Sequence, residues 1–256
     1  MNKKAILITG AASGIGRATA LLFSEHGWYV GLYDVNKAAL ADLSEELGPQ
    51  RCCSKTLDVT DTHSVKAAIS HFAAHTTGRM DVLFNCAGIL QVGPFDTVSL
   101  AKHHQTIDVN FKGVLNCAFE SLPHLISTPD SRMISMASAS ALYGTPDFAS
   151  YSATKFAVKG LTEALSLEWQ QYNIIVSDIL PPVVDTPMVR NNPPSRSMDK
   201  LGAFISPADV AEAVWDAANG NKIHWPVSIK FKILYTMSKF LPEWANRLMM
   251  RFVSGY

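Results

Sequence analysis

The sequence predicts an α/β fold in three layers, a doubly wound parallel sheet covered by helices on both faces. Three observations lead there. Short apolar runs of strand length alternate with amphipathic helical patterns, the first run ends in a glycine-rich turn that opens into a helix, and the second ends in a carboxylate. With 256 residues and 48% hydrophobic content the chain is long enough for one large core. Residues 1–227 read as one domain, and residues 228–256 as an apolar, basic, amphipathic extension.

Lys4 to Thr9 is an apolar run fit for a buried strand. Gly10-Ala11-Ala12-Ser13-Gly14-Ile15-Gly16 follows and leads into the helical pattern Ala18, Leu21, Leu22. Glycines allow a tight turn and a close approach to a pyrophosphate, whose charge meets the amides and dipole of the helix N-terminus. Gly10, Ser13, Gly14, Ile15 and Gly16 are therefore candidate cofactor residues, although their spacing departs from GxGxxG. Trp28 to Tyr33 is a second strand, ending at Asp34, 18 residues beyond the last glycine. A carboxylate at this place suits hydrogen bonds from an adenosine ribose. Further strands run from Ser54 to Leu57, Asp81 to Phe84, Arg132 to Met136 and Ile174 to Leu180.

Tyr151 and Lys155, four apart, share one helical face, where an ammonium can acidify a phenol. A free tyrosine titrates near pH ~10, too high for efficient proton transfer at neutral pH, so the pair is a candidate acid/base.

The Thr9-Gly-x-x-x-Gly-x-Gly turn, the acidic end of strand two, Asn85-Cys86-Ala87-Gly88 and Tyr151-x-x-x-Lys155 together resemble the short-chain dehydrogenase/reductase family in its single-domain form, from Lys4 to about Val227. The resemblance implies the Rossmann fold and hydride exchange between nicotinamide and a carbonyl carbon. It implies that Tyr151 is the acid/base and that Lys155 lowers its pKa while binding the nicotinamide ribose. Ser138, with Ser135 and Ser140 as nearby decoys, would hydrogen-bond the substrate oxygen. Asn110 would be the helix asparagine that holds a water linked to Lys155. Asp58 and Val59 resemble the pair that contacts adenine, and Asn85, Ala87 and Gly88 the small residues against the cofactor. Pro181, Val184 and Thr186 align with the nicotinamide end, but Pro182 replaces the usual glycine, which implies a local change there.

The cofactor implied is NAD. The Asp34 carboxylate would repel the 2′-phosphate of NADP, and Ser13 and Val35 stand where NADP-preferring relatives commonly carry a basic residue. The alternatives are an NADPH-dependent carbonyl reductase and a catalytically idle NAD-sensing or membrane-interaction protein.

Lys+Arg and Asp+Glu both number 22, so no global basic field recruits nucleic acid. Cys52, Cys53, Cys86 and Cys117 show no zinc spacing and read as free thiols in a reducing cytoplasm, and no metal is expected. His103-His104 read as solvated on a polar helix. Met1 to Lys4 leaves no room for a signal peptide before the first strand, and no uncharged apolar run spans a bilayer. Turn-rich residues 187–206 resemble the family's mobile substrate lid, with Met188, Val189, Leu201 and Phe204 as an apolar cover. Relatives are usually homodimers or homotetramers.

The ending departs from relatives that close on Val-Asp-Gly-Gly and looks more like the branch that handles retinoids, hydroxysteroids and long-chain carbonyls. Ile229, Ile233, Leu234, Met237, Phe240 and Leu241 fall on one helical face, and Trp244, Leu248 and Phe252 on another, with Pro242 between. These faces can pack on the body or a sister subunit, meet anionic lipid, or wall the substrate pocket. The last two readings point to a lipophilic alcohol or ketone.

Overall fold

The computed structural model describes residues 3–193, 195–197 and 205–256, with only the backbone of Val253. Seven strands form one parallel sheet in the order β3-β2-β1-β4-β5-β6-β7. They are β1 (Ala5–Thr9), β2 (Tyr29–Asp34), β3 (Cys52–Thr56), β4 (Val82–Asn85), β5 (Arg132–Met136), β6 (Ile175–Leu180) and β7 (His224–Pro226). Thr9 pairs with Tyr33 on one side and Asn85 on the other, so the chain order reverses at β1 and opens a crevice at the carboxyl ends of β1 and β4.

Strand periodicity decides which face each side chain joins. Ile6 and Ile8 of β1 enter a core with Val30, Leu32 and Phe84, while Ala5 and Leu7 enter the opposite one with Tyr33 and Leu83. The first core is closed by α1 (Gly14–Glu25), α2 (Lys37–Leu47) and α8 (Pro207–Asn219). At its centre Phe23, Trp28 and Trp215 meet edge to face with centroids 5.0–5.9 Å apart. The second core is closed by α3 (Thr62–Thr76) and α5 (Gly113–Ser127). Gly31 of β2 belongs to this packing: a Cβ there would lie 2.5 Å from the Phe72 ring, whose burial contributes about 2 kcal/mol.

Helix starts follow their caps. Asn36 accepts from the Ala39 amide and Asp61 from His63, while Ser206 and Asp209 form a reciprocal capping box that starts α8. Between α4 (Leu100–Ile107) and α5, residues Asp108–Lys112 form a π-helical turn, a widening often found at functional sites. Further helices among the described residues are α6 (Ala149–Glu168), α7 (Pro187–Arg190), α9 (Ile229–Ser238) and α10 (Glu243–Ser254). No described helix is long and apolar enough to cross a membrane.

The last strand is pinned by a buried polar contact that no local pattern marks. Asp178 of β6 is fully buried and accepts from His224 Nδ1 at 2.9 and 3.1 Å, while His224 Nε2 lies 3.2 Å from Glu163. Burial pushes the Asp178 carboxyl up, against the opposing pull of His224.

One expectation is corrected. His103 is buried, not solvated: it stacks on Phe95 at 4.6 Å, and its ring nitrogens bond Ser150 Oγ and the Phe95 carbonyl. On α9, α10 and the turn between them, Ile233, Met237, Phe240, Trp244, Leu248 and Phe252 are exposed, whereas Ile229 and Leu234 border the cavity and Phe231 and Tyr235 take the inward positions of α9. Of the apolar residues expected in a lid, Met188 and Val189 lie on the cavity, whereas Leu201 and Phe204 fall outside the described residues.

Candidate active site

A cavity of about 1340 Å³ opens along the carboxyl edge of the sheet, larger than the few hundred to ~1,000 Å³ of an ordinary ligand site. One end is built from the glycine turn. Gly10 and Gly14 hold positive φ, at 69° and 50°, which glycine adopts without strain. The turn is also too tight for side chains: a Cβ on Gly10 would lie 2.8 Å from Ala87 Cα, and one on Gly16 would lie 2.0 Å from the Gly10 carbonyl. Thr9 is buried beneath it, and its hydroxyl accepts from the Cys86 and Ala87 amides at 3.1 Å, which joins the ends of β1 and β4. The N-terminus of α1 has no acidic residue in its first turn and no side-chain cap from Ser13, so its amides remain available to an anion.

Asp34 ends β2 beside this turn. Its carboxylate accepts from the Ala12 amide at 3.0 Å and from the Asn36 amide at 3.0 Å, which fixes both loops around it. Asp58 is held by Thr60, and both residues border the cavity with Val59. Backbone that approaches closely, a helix N-terminus and a carboxylate at the neighbouring strand end together fit a dinucleotide, with the pyrophosphate on α1 and a ribose at Asp34.

The other end brings together residues far apart in sequence. Ser138 follows β5, Tyr151 and Lys155 come from α6, and all three border the cavity. Lys155 is buried, its Nζ donates to the Met136 carbonyl at 2.7 Å, and it lies 5.4 Å from the Tyr151 ring centroid. Burial lowers its pKa from the ordinary 10.5 to about 8. Tyr151 departs from expectation. Burial pushes its hydroxyl up to about 12, and the hydrogen bond with Ser138 only partly offsets that.

Of the other expected residues, Ser13, Ile15, Ala87, Gly88, Pro181, Val184 and Thr186 border the cavity. Pro181 is also the acceptor for the Ala139 amide at 2.9 Å, so the proline pair leaves the link between β5 and β6 in place. Asn85 and Asn110 do not border it. Asn85 is still inside β4 and turns into the core toward Ser135, at 3.3 Å. Asn110 sits in the π-helical turn with its side-chain amide paired to both backbone groups of Ile89, at 2.8 and 2.9 Å, and contacts Thr154 at 3.4 Å. It couples α4–α5 to the strand-end loop and to α6.

Sequence reasoning missed several wall residues. Leu142, Tyr143 and Phe148 come from the loop before α6, and His104 and Gln105 from α4. Nothing in their local pattern marks them. For Met249 and Met250, on the inner side of α10, the apolar content of the extension was the available signal, and Leu234 of α9 borders the cavity as the pocket-wall reading of its stripe allows. Away from the cavity, Cys53, His71 and His75 also converge, with the Tyr33 hydroxyl 3.0 Å from His71 Nδ1 and 3.7 Å from Cys53 Sγ.

The sheet order and the crevice at its switch point define a dinucleotide-binding α/β protein. Residues 4–197 match the short chain dehydrogenase family. Oxidoreductase UcpA of Salmonella typhimurium is 38% identical over 191 residues, 73% of this chain and 72% of that protein. Cyclohexanol dehydrogenase of an Acinetobacter species is 31% identical over 219 residues, 83% of this chain and 86% of that protein. The crystal structure of 3-ketoacyl-(acyl-carrier-protein) reductase from Brucella melitensis complexed with NADH has a TM-score of 0.78 at 26% identity, covering 87% of this chain and 96% of that one. The chain belongs to the short-chain dehydrogenase/reductase family and is an NAD(P)-dependent oxidoreductase.

Proposed function

We propose that this protein is an NAD-dependent oxidoreductase that interconverts a primary or secondary alcohol and its carbonyl on a lipophilic substrate. The observation that carries the reading is the meeting of Ser138, Tyr151 and Lys155 at one end of a cavity whose other end is the glycine turn and Asp34. A bound nicotinamide would supply the hydride acceptor or donor. Gly10, Ser13, Gly14, Ile15 and Gly16 would hold its pyrophosphate, Asp34 a ribose, Asp58 and Val59 the adenine, and Ala87, Gly88, Pro181, Val184 and Thr186 the nicotinamide end.

Tyr151 holds the proton exchanged with the substrate oxygen. At neutral pH its phenol is protonated, the form that donates to a carbonyl; the opposite direction requires phenolate. Ser138 hydrogen-bonds the same oxygen as charge develops on it. Lys155 would supply a cation to the nicotinamide ribose hydroxyls, and Asn110 fixes the π-helical turn behind Thr154 and α6.

The preference for NAD rests on Asp34 at the end of β2: a ribose held there would bring a 2′-phosphate against its carboxylate, which would repel it. The NADH complex of the Brucella reductase agrees with this choice. The apolar wall, with Ile89, Leu142, Phe148 and Met250, favours a lipophilic alcohol or ketone, as does the cyclic alcohol in the name of the Acinetobacter relative. The reading includes a cytoplasmic homodimer or homotetramer, supported by the four free cysteines and by Phe119 and Phe156 left exposed on α5 and α6.

Fluorescence titration with NADH and NADPH tests the reading first. Tighter NADH binding is expected, and tighter NADPH binding would overturn the role of Asp34. Tyr151→Phe should then lose about 10²–10⁴-fold in turnover while still binding NADH. Undiminished turnover would remove Tyr151 from the chemistry.

A further inference from the structure

The outer faces of α9 and α10 leave large apolar side chains in solvent on a scale that soluble surfaces seldom show. Met237 is 54% exposed and Ile233 58%, while Leu248, Trp244, Phe252 and Phe240 reach 61, 71, 83 and 84%. The four-residue steps from Trp244 to Leu248 to Phe252 make one continuous stripe on α10, and Ile233 and Met237 lie on a matching stripe of α9. These helices are not waiting to fold down onto the body. Phe231 and Tyr235 are already buried beneath α9, Met249 and Met250 border the cavity, and the Tyr256 hydroxyl donates to Asp147 at 2.6 Å.

Cations flank the stripes. Residues 229–254 contain Lys230, Lys232, Lys239, Arg247 and Arg251 against Glu243 alone, a net charge of +4 in a chain whose total is zero. Lys232, Arg247 and Arg251 are exposed, as are the apolar residues beside them. A second copy seated face to face would set cation against cation. An anionic lipid surface complements both the charge and the apolar stripe, and Trp244 is a residue type favoured at the headgroup level.

We propose that α9 and α10 form a docking surface on which the protein lies peripherally against an anionic bilayer. The docking stands on its own observations. Delivery of substrate from the bilayer into the cavity on the inner side of the same helices rests, in addition, on the lipophilic reading above.

The test is flotation of the full chain with phosphatidylcholine vesicles, with and without phosphatidylserine, and quenching of Trp244 by brominated lipid. Binding to the anionic vesicles is expected, with Trp244 emission shifted to the blue and lost in Trp244→Phe. The double variant Phe240→Ser/Phe252→Ser should lose about tenfold or more in vesicle affinity. Lys232→Glu/Arg247→Glu should lose the preference for phosphatidylserine, as should the wild type in high salt. NADH titration of both variants checks that the fold survives. No flotation of the wild type, or equal flotation of wild type and both variants, overturns the proposal. So does a stable dimer in sedimentation that the same substitutions dissociate, which would assign the face to a second copy.

Discussion

Replacing Lys155 with Met should stabilise the cofactor-free fold while removing turnover. Lys155 is 4% exposed, and burial holds its pKa at about 8 against an ordinary 10.5. At about 1.4 kcal/mol per unit, keeping this ammonium charged inside the protein costs about 3 kcal/mol at neutral pH. Methionine is close in size and carries no charge, but its substitution also leaves the Met136 carbonyl without the Lys155 donor, which takes back about 1 kcal/mol. The expected net gain is therefore about 2 kcal/mol at neutral pH. The pH dependence follows from the lowered pKa. Between about pH 8 and 10.5 the unfolded chain keeps a proton that the native state has released, so the wild type gains stability as pH rises through this window. The advantage of the variant should shrink accordingly. Cys117, pushed up to about 12 by burial, works in the opposite sense at high pH but is common to both proteins and cancels in the difference, and Cys86, which burial raises and the Lys155 charge lowers, stays protonated in both native proteins at about pH 10. Urea denaturation of both proteins at about pH 7 and pH 10 measures it. A variant less stable than the wild type at pH 7, or a difference that does not change with pH, would refute the claim that Lys155 is held charged at a cost.

Gly16→Ala should abolish NADH binding or folding, because its Cβ would lie 2.0 Å from the Gly10 carbonyl; an intact titration with NADH would contradict the geometry. His224→Leu leaves the Asp178 carboxylate buried without its partner and should cost about 3–5 kcal/mol in urea denaturation. Because burial already raises the Asp178 pKa, that cost should be smaller at about pH 5 than at pH 8, and equal costs would show that Asp178 is not the group at stake. With saturating NAD, kcat/KM for alcohol oxidation should rise by up to about tenfold per unit between about pH 7 and pH 9, as a phenol pushed up to about 12 yields more phenolate; a fall over that range would exclude Tyr151 as the base.

The sequence by itself determined the features that local chemistry enforces. A buried parallel strand needs a short apolar run, and a turn against backbone needs glycine at Gly10 and Gly16, so the sheet class and the glycine-turn end of the cavity were readable along the chain. The family motif was legible because its residues recur at fixed spacing. Tertiary structure decided everything that depends on which groups share a small volume. It turned Asn85 into the core and tied Asn110 to the Ile89 backbone. It joined Asp178 to His224 across 46 residues. It raised the Tyr151 pKa, because desolvation depends on the surrounding protein and not on the spacing of Tyr151 and Lys155. The same holds for the extension. Helical periodicity defined its apolar stripes, but the positions of Phe231 and Tyr235 in the core selected which side faces the cavity and which faces solvent. A helix has one rotation about its axis, and only the neighbours it packs against can set it.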